Sequence, residues 1–240
     1  MGKVSGGKIA YYIFKAIGLL LVFGTIGILL WRIFTSGDPA SMKTLDANAP
    51  LVEAYEKAQA EGREMDMFTQ EQPTTITTAE HNYSYFAVSN VVFIKDADQI
   101  QLTFRYNNST IRHLAEDYEL PEIPARESEL YDVTLWVVYD LTPDVVGDDE
   151  NVEYVRIHPT ASETVAEQKS LYNYRKFVFD GVDFDTTEKP ILTVFMDVYY
   201  VEDVNYEEDP YGTLPIYQYV YENKPYTLTD KDIKAIEAYK

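Results

Sequence analysis

There is no cysteine among the 240 residues of this chain. That excludes thiol catalysis, thiolate metal sites, disulfide cross-links and anchoring through a lipidated cysteine. A domain outside the cytoplasm without disulfides stands on its core alone, which points to a bacterial surface rather than to the disulfide-dense secreted domains of animals. Basic residues are scarce: 20 Lys and Arg face 40 Asp and Glu, for a net charge of −20. The scarcity is uneven. Residues 1–34 hold Lys3, Lys8, Lys15 and Arg32 and no acid, so the other 206 residues carry −24. Such a body repels nucleic acid phosphates and anionic lipid surfaces, which argues against nucleic acid as a partner. With 46% hydrophobic and 14% aromatic residues, the chain still has ample material for a core.

The one long stretch without charge is 16–31, from Ala16 to Trp31. At 1.5 Å per residue it is about 24 Å long, and extension to 11–34 gives about 36 Å, enough for a hydrocarbon slab of roughly 30 Å. Lys15 and Arg32 lie near its ends, where long stems reach headgroups, and Tyr11, Tyr12 and Trp31 sit where aromatic belts form. This predicts a cytoplasmic tail at 1–10 and an uncleaved, single-pass transmembrane helix at 11–34. Basic residues concentrate before the span, which places the N-terminus in the cytoplasm, the C-terminal domain outside the cell and the helix as a signal-anchor. A cleaved signal peptide is the competing reading, with Thr35-Ser36-Gly37 a passable site, but Arg32 and the long apolar run argue against cleavage.

Residues 35–72 read as a connector containing a helix near 49–62, with Pro50 in the first turn and Gly62 as the stop. From 73 to 240 the apolar period becomes two. Ile100, Leu102, Phe104 and Tyr106 alternate with Gln101, Thr103 and Arg105, as in a half-buried strand. A second alternating run covers 131–141. Residues 190–201 are apolar on both faces except Thr193 and Asp197, the pattern of a central strand. Weaker runs lie at 74–79, 83–95, 152–158, 171–180 and 214–222, and one or two helical turns are expected at Thr110 to Asp117. The C-terminus is a helix from about 229, with Thr229 as N-cap, acids in its first turn and Leu228 stapled to Ile233. The fold class is therefore mainly β: an N-terminal transmembrane helix, then an antiparallel β-sandwich with short flanking helices.

Candidate sites are few. Arg105, Arg112, His113 and Arg126 cluster in sequence and could hold an anion or a carboxylated ligand, although pairing with internal acids such as Glu116 and Asp117 is the plainer reading. Tyr217, Tyr219 and Tyr221 share one strand face, as either a stacking platform or an aromatic ladder. Asp183, Asp185 and Glu188 could present oxygens to Ca2+, but no EF-hand spacing accompanies them, and solvated loop charge is the plainer reading. No other cofactor is suggested. His81, His113 and His158 match no zinc spacing, and no G-x-S-x-G elbow exists. No catalytic residue is selected. Asn82, Asn107 and Asn108 open glycosylation sequons, which matter only in a eukaryotic secretory pathway.

The segments WRIFTSGDP at 31–39, FRYNNSTIRHLAEDY at 104–118, LYNYRKFVFDG at 171–181 and YGTLPIY at 211–217 give the chain a family likeness. It resembles uncharacterised single-pass membrane proteins of clostridia-like Gram-positive bacteria. The resemblance implies a Gram-positive cell surface and carries no functional residue with it. The expected function is that of a membrane-anchored extracytoplasmic binding or interaction protein whose partner is another envelope protein or a wall-associated ligand. The alternatives are a cell-surface hydrolase using a carboxylate pair and a calcium-stabilised structural module.

Overall fold

The structure is a computed structural model. It describes residues 6–35, 37–69, 87–106, 131–140, 156–160, 165–169, 172–184, 191–200, 212–220 and 224–239. Contacts divide the chain into two units, Met1–Asp38 and Pro39–Lys240. The first consists of helix α1, Gly6–Thr35, in which Tyr11–Trp31 has a mean hydropathy of 2.4 and is wholly exposed. It is long and apolar enough to cross a membrane, and its place near the N-terminus suits an anchor or a signal sequence.

The second unit is sheet-rich. Its elements in chain order are α2 (Ala40–Lys43), α3 (Ala49–Glu61), β1 (Met67–Thr69), β2 (Ala87–Ile94), β3 (Gln99–Tyr106), β4 (Tyr131–Asp140), β5 (Val165–Lys169), β6 (Tyr172–Asp180), β7 (Ile191–Tyr200), β8 (Gly212–Val220), β9 (Lys224–Pro225) and α4 (Asp230–Tyr239). Six strands form one sheet in the order β5-β6-β3-β2-β1-β9, and three form another in the order β4-β7-β8. Every pairing among these strands is antiparallel. The strands expected at 100–106, 131–141, 171–180 and 190–201 are present within a residue or so of those limits, and β7 is central in its sheet. The runs at 74–79 and the helical turns at 110–117 lie outside the described residues, as does most of 152–158, where Ile157 bridges to Val137.

Period-two alternation gives the larger sheet two different faces. Phe68, Phe93, Ile100, Leu102, Phe104, Phe177 and Phe179 meet Leu135, Val137, Leu192, Val194, Met196 and Ile216 of the smaller sheet in one continuous core. Phe68 stacks on Phe93 with centroids 4.6 Å apart, adding aromatic geometry to area burial. These two sheets are the sandwich.

The opposite face of the larger sheet carries Met67, Val92 and Ile94, packed against Leu51, Ala54 and Ala58 of α3, Leu45, and Ile236 of α4. Helix α3 starts where Asn48 Oδ1 accepts the Leu51 N–H, with Pro50 inside its first turn, and ends at Gly62, whose φ of +68° suits glycine. At the start of α4, the Asp232 carboxylate accepts the Thr229 N–H, and the Thr229 hydroxyl accepts the Asp232 N–H, a reciprocal capping box. The compact unit thus takes in α2, α3 and β1, all upstream of residue 73 and all within the stretch that composition suggests is a connector. A short polar segment looks like a linker in sequence because the surface it packs on is made elsewhere in the chain.

Candidate functional site

Strand β3 places Gln99, Gln101, Thr103 and Arg105 in one row. Alternation suggests a solvent-facing row, but Gln99, Gln101 and Thr103 are buried, so β3 is covered on both faces. The cover is the segment 39–48, which opens the second unit of the chain. Among the described residues it makes no main-chain-to-main-chain bond with a strand. Side chains of the body hold it instead. Gln101 Nε2 donates to the Asp46 carbonyl at 2.9 Å, and Gln101 Oε1 accepts the Asp46 N–H at 2.7 Å. Thr103 donates to the Met42 carbonyl at 3.0 Å. Asp232, on α4, accepts the Leu45 N–H at 2.7 Å through one oxygen, and Thr229 and Tyr226 through the other. Ser41 donates back to Glu167 on β5.

Lys176 is the strongest group in this layer. It faces Thr103 across the β3–β6 ladder and is 4% exposed. Its ammonium donates to the Ser41 carbonyl at 2.7 Å and to the Thr44 carbonyl. Burial pushes its pKa below the ordinary lysine value, while the charges of Asp46 and Asp232 pull it back up. Burial also raises the Tyr226 hydroxyl well above the usual tyrosine value, with Asp232 adding to the rise. A cavity of about 80 Å³ lies beside Lys176, lined among others by Thr44, Thr69, Asn90 and Thr103. Asn90 sits at a φ of +50° in the β2 bulge between Ser89 and Val92.

Arg105 ends the row. It stands opposite Ala87 on one side and Tyr174 on the other. Its guanidinium lies 4.7 Å from the Tyr172 ring, a cation–π contact that fixes the plane of the fork. Its Nε is buried and has no hydrogen-bond partner among the described residues. An unmatched buried donor costs about 1–3 kcal/mol, so this arginine carries unspent hydrogen-bonding capacity. Arg112, His113 and Arg126, grouped with it by sequence, lie outside the described residues.

The tyrosine series falls on β8. Tyr217 is in register with Val194 and Tyr219 with Leu192, both partners being core residues, while Tyr221 is outside the described residues. Asp183 is exposed just after β6; Asp185 and Glu188 are outside the described residues. Among the described residues no group of three or more His, Asp or Glu is placed to hold a metal ion. His158 is exposed. A second cavity, of about 190 Å³, lies between α3 and the start of α4 on a floor of Met65, Met67 and Ile233. Its rim arginine, Arg63, is engaged by Glu61 at 2.7 Å and Asp96 at 2.7 Å and 3.0 Å.

Lys176 and Asp232 escape a reading of the sequence. Lys176 looks like one polar member of an alternating strand, and Asp232 like a solvated N-terminal acid. The signal that could have pointed to them is the run Gln99, Gln101, Thr103: uncharged hydrogen-bonding side chains suit a covered polar face better than the Lys and Glu of an open one.

No protein-family model, no characterised protein and no solved structure matches this chain.

Proposed function

We propose that this is a signal-anchored, single-pass membrane protein with a cytoplasmic N-terminus, whose acidic body lies outside the cell and binds a carboxylate- or phosphate-bearing group of an envelope protein or wall-associated ligand. The apolar helix and the basic residues before it support the orientation. The observation that carries the binding reading is Arg105: a guanidinium stacked on Tyr172 with a buried Nε unmatched among the described residues, in a chain where acids outnumber bases two to one. An arginine fork pre-oriented by an aromatic ring is suited to planar oxyanions. Its role in this reading is to hold the ligand rather than to react with it.

Two measurements on whole cells test this. The chain is cysteine-free, so a single Glu237→Cys substitution on exposed α4 gives one reporter; labelling by an impermeant maleimide before lysis supports the orientation, and labelling only after lysis overturns it. For binding, a photocrosslinking amino acid at Lys169, which is in register with Tyr172, gives a discrete adduct in the otherwise native chain and loses it with Arg105→Gln. Recovery of the bare chain in both cases ends the binding reading at this site.

A further inference from the structure

The bonds that hold 39–48 differ in kind from those that hold the sandwich. A strand in either sheet is fixed by a ladder, which opens only with its neighbours. The segment 39–48 is fixed by separate side chains from β3, β5, β6 and α4, each bonded to one or two main-chain groups or, at Ser41, to one hydroxyl. Pro39, Met42 and Leu45 are buried with it. Beneath it runs the cavity of about 80 Å³, so its packing is incomplete on the side facing Asn90. Its far end is firmly fixed: Asn48 caps α3, and Gln99 Nε2 donates to the same Asn48 oxygen at 3.2 Å.

We infer that residues 39–48 are a releasable strap over the polar side chains of β3 and β6, with Lys176 and Asp232 as its latch. Release as far as the Asn48 cap uncovers Gln101 and Thr103, whose side chains bond main-chain groups of the strap and are then free to bond those of an extended peptide. The strap lifts as a local unit because, among the described residues, none of its own bonds belongs to a β ladder.

Amide hydrogen exchange on the full-length protein in detergent tests the inference. The reporters are the N–H groups of Leu45 and Asp46, bonded to Asp232 and Gln101, and as reference the ladder amides of β3 and β6. In the native chain the strap amides exchange at least tenfold faster than the ladder amides. With Lys176→Met they accelerate at least a further tenfold while the ladder amides keep their rates. Equal rates for strap and ladder in the native chain overturn the inference. So does a Lys176→Met chain in which both sets accelerate together, or in which neither does. If Lys176→Met does not fold, Thr103→Val, which removes the bond to Met42 and the longer one from Asn90, is judged by the same criteria.

Discussion

At β3 and β6 the two faces of the six-stranded sheet are built by opposite means. Toward the three-stranded sheet, Phe93, Ile100, Phe104, Phe177 and Phe179 are held by shape and by removal from water. Toward the strap, Gln99, Gln101, Thr103 and Lys176 are equally buried and are held by matched hydrogen bonds. The first face is insensitive to which partner supplies the carbon atoms. The second depends on individual atoms, because each buried donor or acceptor that loses its partner costs about 1–3 kcal/mol. A protein can therefore keep its sandwich while altering what covers the polar face, and that asymmetry is the basis for assigning stability to one side and adjustability to the other.

Mutations that sharpen the contrast differ in size. The largest effect is expected from Phe177→Ala on the apolar face, about 3–5 kcal/mol of unfolding free energy in urea, with all probes shifting together. On the polar face, Asp232→Ala leaves the Leu45 N–H and the Tyr226 and Thr229 donors without their acceptor; the expected loss is about 1–3 kcal/mol, accompanied by faster exchange at Leu45. A loss as large as that of Phe177→Ala would mean that the polar face is as integral as the apolar one. Asn48→Ala removes the α3 cap and costs about 1 kcal/mol in the same assay.

The smallest expected effect is the pH response of the polar face. Lys176 has a folded pKa below the lysine value of 10.5. Below the folded value both states hold the proton and the cost of burying the charge is felt in full. As pH rises from there toward 10.5, the folded state releases its proton first, so this residue's contribution to stability improves with pH. Tyr226 acts in the opposite sense. Its raised pKa leaves stability intact below the ordinary value of 10.0 and removes it as pH climbs above that. Thermal melts from roughly pH 8 to 11 are expected to show the alkaline loss reduced in Tyr226→Phe. Lys176→Met is expected to lack the upward contribution. Identical profiles for the native chain and both variants would show that neither group titrates differently on folding.

Several elements are legible in the amino-acid order alone. The period-two runs at 100–106, 131–140 and 191–200, the Thr229 cap and the Gly62 stop each specify their element locally, because backbone propensity, capping and alternation act within a few residues. Of the candidate site, Arg105 is legible as a cation that acids would be expected to claim. Its stacking on Tyr172 is not, since the two lie far apart in the chain and meet only through the β3–β6 ladder.

By itself, then, the sequence determined an apolar rod long enough for a bilayer, an acidic strand-rich body and the ends of its helices. Tertiary structure alone decided that 39–48 is part of that body and that Lys176 and Asp232 hold it there. Alternation tells which side chains share a face of a strand; what lies over that face is supplied by a segment 55 to 135 positions away, and no local pattern encodes it.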